Sequence, residues 1–470
     1  MKNKSVPGYI LLMLVLICLP LVSMYWRSGG MLHPESAAFI LNYLADRPLL
    51  NKIFDPLYND WGFYQARELS YLVDWLDVQF IAICAKWKLG HFYSLSFTII
   101  TLLIVAVQQY FGNKIFRNLT RTELWAISLL MLSTPLFLLN NSFYRSSKPL
   151  CAVLITVMCY LTLQLYYFAI SGNRGKSDFT IGAVIAAELL LVFADRQGIF
   201  MAAVFTMALA LLLLSGALFS VSSKENSHIQ RCLAVGSGAV VLAGALYNRM
   251  ICPAAISALN HYHPDFSFQQ LPPVTWNSSI GGIAFCLESL GLLIGWSSVT
   301  GGLVTIGVIL LLLIPYPDGH PFSWNRRQCR QQVYFTAVFV LLLLAACVMF
   351  ILMVTRHPLM SLLPEIVLGG YAMPVMVMIV FFFMLGLNWW QGSRRRLPHW
   401  LVISVLLGIG CLNLSMIPRH MAVEQQGQLR RQFIVSPQIL HHINATVDDR
   451  NYELLTPAEI TLIRRLRNSD

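Results

Sequence analysis

Apolar runs of about twenty residues follow one another along almost the whole 470-residue chain, and they limit its fold more than anything else. Crossing the hydrocarbon core of a bilayer takes roughly 20 apolar residues in helical form. By that measure, spans are expected near 7–25, 91–110, 123–140, 149–170, 179–194, 198–218, 232–250, 296–315, 332–354, 371–390 and 399–417. The stretch 278–315 admits one membrane segment or two. Only 12% of residues are charged and 57% are hydrophobic, about half the charge of a soluble domain. In water such a chain would expose adhesive surface, whereas lipid solvates it. The expected fold class is therefore an all-α polytopic membrane protein with about 11 transmembrane helices.

The formal charge of +11 invites a nucleic-acid reading. The cations, however, stand in short clusters between apolar runs, which is the pattern of topology signals, and nucleic acid is set aside as a partner. With the N-terminus inside, the inner loops carry Lys2, Lys4, Lys114, Arg117, Arg121, Arg174, Lys176, Lys224, Arg231, Arg326, Arg327, Arg330, Arg394, Arg395 and Arg396. The short outer loops carry Arg145, Lys148, Arg196, Arg249 and Arg356. This bias places the N-terminus in the cytoplasm. It also leaves three longer outer segments: a first loop over 27–90, a second over 251–280, and a short soluble tail over 419–470. In the first loop, residues 35–45 and 65–83 have the spacing of amphipathic surface helices. Asp74 and Asp77 fall where a solvated face is expected. The ten cysteines are scattered without metal spacing and read as small buried hydrophobes. Cys84, Cys252 and Cys286, nearer the outer face, leave a disulfide open.

Charges at the outer boundary are costly to place there and mark candidate chemistry. Glu35 follows Pro34 just beyond the first span, where it is either a reactive acid or a helix-start charge favouring the dipole. Asp60, Arg67 and Glu68 lie among Tyr58, Trp61, Phe63 and Tyr64, an interleaving that suits a carbohydrate or an interfacial aromatic belt. Arg145 and Lys148, Asp195 and Arg196, and Arg356 and His357 occupy tight outer turns. Their cations suit a lipid-linked phosphate, although Asp195 and Arg196 also read as a local ion pair. His261 and His263 with Asp265 are too few for a metal site and read as a solvated loop. No phosphate-cradling glycine loop, GxSxG or HExxH pattern occurs.

The layout resembles the GT-C class of membrane glycosyltransferases over residues 1–418. The resemblance rests on Glu35 soon after the first span, on Tyr64-Gln65-Ala66-Arg67-Glu68-Leu69-Ser70-Tyr71 in the first loop, and on Gly370-Tyr371-Ala372-Met373-Pro374 entering a late span. It implies transfer of a sugar from a polyprenyl-phosphate donor to a cell-envelope glycan or a lipid-linked acceptor, on the extracytoplasmic face of the bacterial inner membrane. It implies Glu35 as the catalytic carboxylate, acting as general base on the acceptor hydroxyl. Asp60, Arg67, Glu68, Arg145, Lys148, Asp195, Arg196, Arg356, His357 and Tyr371 become substrate contacts. Some members of the class need no metal and others have a metal site, so the resemblance implies no particular cofactor and is compatible with a divalent metal. The rival readings are a membrane transporter or lipid-linked glycan flippase, with Glu188 and Glu288 as the acids nearest mid-span, and an envelope polysaccharide polymerase or ligase.

Overall fold

The computed structural model describes Tyr43 and residues 48–54, 67–86, 95–135, 137, 147–171, 174–195, 198–207, 224–260, 273–314, 326–356, 365–393 and 396–431. All regular structure among these is helical. Two helices come from the first loop: α1 (Leu49–Phe54) and α2 (Glu68–Lys86). The bundle follows with α3 (Leu95–Ile115), α4 (Arg121–Leu132), α5 (Ser147–Ser171), α6 (Arg174–Ala194) and α7 (Gly198–Met207). Next come α8 (Lys224–Leu246), a π-helical turn (Tyr247–Ile251) and α9 (Cys252–Asn260). The remaining helices are α10 (Trp276–Gly291), α11 (Val299–Leu313), α12 (Arg326–Arg356), α13 (Glu365–Gln391) and α14 (His399–Arg431).

Seven helical stretches among the described residues are long and apolar enough to cross a membrane: Lys148–Leu165, Gly175–Ala194, Arg231–Leu259, Trp276–Ile294, Gln332–Thr355, Ala372–Gln391 and His399–Met416. Three shorter apolar helices accompany them, at Ile99–Ile115, Gly198–Met207 and Val299–Leu313. Helix α13 is the hub, because 89% of Ala372–Gln391 is buried inside the protein. Tyr160 of α5 packs between Phe111, Phe116 and Phe381, and its hydroxyl donates to the sulfur of Met384. On the peripheral stretches Arg231–Leu259 and His399–Met416 only 22% is buried. Their outward Val235, Leu242, Met250, Trp400 and Val405 form the surface that lipid covers.

The stretch 278–315 holds two helices, α10 and α11, with an interruption between them. Gly281 and Gly282 lie against Val354 and Ile351 of α12, and Phe285 against Phe350. At the far end, Leu313 O accepts from Thr336 Oγ1, while Leu312 abuts Gly386 of α13. Ile351 and Thr336 are separated along α12 by roughly 22 Å of helical rise. Leu313 thus does not return beside Ile351: α10 runs along α12, while α11 packs chiefly on α10 and α13.

Between them the chain turns at Leu292–Ile294 and at Gly295, whose φ of 69° is left-handed. Glycine alone adopts this without a Cβ penalty, and a Cβ here would lie 2.8 Å from Asn413 Oδ1. Ser298 then caps α11 by accepting from Gly301 N. Asn413 of α14, with no exposed surface, donates to Leu293 O at 3.2 Å and ties the interruption to the last helix.

Two expectations are corrected. Asp74 and Asp77 are 5% and 3% exposed, so that side of α2 faces protein rather than solvent. The second outer loop is shorter than 251–280, because α9 prolongs α8 through the π-helical turn and α10 begins at Trp276. The disulfide left open does not join Cys252 to Cys286, since both are free thiols. The side chain of Cys84 and the segments 7–25 and 419–470 lie outside the described residues or side chains, apart from the helical backbone of α14 as far as Arg431.

Candidate functional site

Two polar clusters stand at opposite ends of the bundle. At the first, Asp195 follows the last turn of α6, and its carboxylate takes a cation on each oxygen. Lys148 Nζ is 2.8 Å from Oδ1, and Arg67 Nε is 3.2 Å from Oδ2. The three side chains are 12%, 10% and 2% exposed for Lys148, Arg67 and Asp195. Each comes from a different part of the chain. Lys148 lies in the first turn of α5, Arg67 precedes α2, and Ser70 in the first turn of α2 donates to Ala194 O. This last bond docks the first-loop helix on the end of α6. One carboxylate bridges two cations in a largely desolvated place, where charged contacts are strongest.

Beside this triad, Glu68 accepts from the Cys252 thiol at 3.2 Å, and the Tyr247 hydroxyl lies against both. The π-helical turn Tyr247–Ile251 admits one extra residue per turn and thereby aims Tyr247. Phe193 holds its ring edge-on at 4.9 Å. Helix α1 docks on the same end, with Asn51 donating to Leu259 O and Lys52 to Tyr43 O.

The structure thus brings together four residues that the sequence singled out separately: Arg67, Glu68, Lys148 and Asp195. Glu35, Asp60, Arg145, Arg196, His357, His261 and His263 lie outside the described residues. Arg356 ends α12 and Tyr371 lies within α13, but their side chains are outside the described set. Ser70 and Tyr247 escaped sequence reasoning, because a hydroxyl and a phenol within apolar runs carry no spacing signal. The role of Cys252 escaped it too. Among the described residues no three His, Cys, Asp or Glu side chains gather as a metal cage.

At the opposite end the chemistry is self-contained. Thr120 and Glu123 form a reciprocal capping box at the start of α4. The other oxygen of Glu123 accepts from Gln391 Nε2 at 2.9 Å and faces His399 Nδ1 at 3.0 Å. Asn118 and Asn388 exchange two further hydrogen bonds of 3.0 Å. These contacts gather the loops around 118 and 391–399 at one end. Comparison with protein-family models, curated proteins and solved structures finds no match.

Proposed function

We propose that the protein is a glycosyltransferase that moves a sugar from a polyprenyl-phosphate donor to an envelope glycan or lipid acceptor, at the extracytoplasmic face of a bacterial inner membrane. Eleven passages with the N-terminus cytoplasmic belong to the same proposal. The observation that carries it is the buried triad of Arg67, Lys148 and Asp195 at one end of a membrane bundle. Its two cations, joined in sequence by Arg145 and Arg196, are groups that suit a phosphate held where lipid meets water.

In the proposed reaction, Glu35 takes the proton of the acceptor hydroxyl. The hydroxyl oxygen bonds to the anomeric carbon, and the bond from that carbon to the phosphate oxygen breaks. The cations stabilise the charge gathering on the departing phosphate. Glu68 and Asp60 act as sugar or acceptor contacts.

The test is purified protein with a polyprenyl-phosphate sugar and membrane-extracted acceptors. Donor consumption is expected, and Lys148→Met should reduce it roughly tenfold to a hundredfold, the size of one charged hydrogen bond. Unchanged turnover in Lys148→Met removes the triad from the mechanism. Absence of donor loss together with movement of lipid-linked glycan across vesicles replaces the enzyme by a translocator. That second reading draws on the interrupted passage α10–α11, since interrupted helices recur at transporter sites.

A further inference from the structure

Glu188 sits inside α6, seven residues and about 10 Å of helix before Asp195. It has no exposed surface. The polar group turned toward it is the hydroxyl of Ser237 on α8, also fully buried. Among the described residues, neither carboxyl oxygen of Glu188, nor Ser237 Oγ, has a hydrogen-bond partner of good geometry. Around the pair the two helices are pressed together. Ile185 fills the space where Gly236 would carry a Cβ, 2.3 Å away, and Val192 does the same at Gly244, 2.6 Å away. A one-turn offset separates these two contacts from Glu188, one on each side. Glu288, the other mid-span acid, is by contrast exposed on α10.

An ionised carboxylate without a counter-ion loses its hydration in hydrocarbon with nothing to replace it, whereas the neutral acid needs only one acceptor. An acid so placed in a membrane helix marks a site by default, with its partner to be named. We propose that Glu188 and Ser237 form a proton-binding site inside the membrane, in which the carboxyl is carried as the neutral acid and donates to Ser237 Oγ. The site shares no residue with the Asp195 triad and does not depend on the glycosyltransferase reading. Its ligand is a proton, and releasing it requires water in the α6–α8 seam, hence separation of α8 from α6.

A hydrophobic carbodiimide tests this directly. The acid adds across one C=N bond: the carboxyl oxygen bonds to the central carbon and the proton moves to nitrogen. Acyl migration to nitrogen then leaves a stable N-acylurea, with no other reactant. Intact protein in micelles, treated with dicyclohexylcarbodiimide and mapped by peptide mass, should carry the adduct on Glu188. A water-soluble carbodiimide should leave that residue unmodified. Glu188→Gln should lose the adduct, and Glu188→Asp, which keeps a shorter acid, should retain one. Ser237→Ala keeps the acid and should still be modified. Two results overturn the proposal: an unmodified Glu188 beside other modified acids in the same sample, or equal modification by the water-soluble reagent.

Discussion

The two ends of the bundle are both knotted by a buried carboxylate, yet they are built to different rules. At the Glu123 end every contact on the acid is matched: its own capping threonine, an amide from α13 and an imidazole at the start of α14. At the Asp195 end one acid is outnumbered by two cations drawn from α5 and the segment before α2. The first arrangement staples three helices. The second gathers two cations about one acid, a grouping that holds its helices and offers donors that an anion can also use. Location agrees with this division: the first-loop helices α1 and α2 cover the Asp195 end.

The comparison breaks most sharply at Asp195. Asp195→Ala leaves Lys148 and Arg67 facing each other without their acid, a loss of about 3–5 kcal/mol for an uncompensated buried charge. A large drop in thermal midpoint in detergent is expected, and part of it should return when a polyphosphate or a lipid phosphate is added. If no anion restores stability, the Asp195 end is only a staple and the contrast disappears. Glu123→Ala comes next. It removes a capping box and orphans Gln391, for about 1–3 kcal/mol. Stability should fall and no lipid-phosphate ligand should rescue it, which a thermal shift series with and without ligand decides. The smallest change is His399→Ala. The imidazole is 47% exposed, so the pair is worth under about 1 kcal/mol. A larger measured loss would mean that His399 positions α14 rather than merely touching Glu123.

Much of this was legible before any coordinates, for a physical reason. A charge near a bilayer is expensive, so Arg67, Glu68, Lys148 and Asp195 stood out from their apolar surroundings, and all four meet in space. Burial of Asp74 and Asp77 was not legible: charges spaced along a first-loop helix look solvated until the helix is seen packed on the bundle. The interruption at 292–298 was half legible. Its glycines and serine blurred the span, but where α11 goes after the turn is decided by its packing on α10 and α13 and by Asn413. Tyr247 had no signal, because nothing in Leu246-Tyr247-Asn248 announces a π-helical turn. The catalytic acid position, Glu35, rests on the sequence resemblance alone.

The tie between Asn413 and Leu293 also sets an order of assembly. The two residues are 120 positions apart. At elongation rates of roughly 5–20 residues per second, the ribosome needs on the order of 6–24 s to go from one to the other. During that interval the turn at Gly295 is already inside the membrane while its clasp is still unmade. The middle of the protein therefore matures last, when the final helix arrives, and a chain truncated before α14 would be expected to stall with its centre open to quality-control proteases.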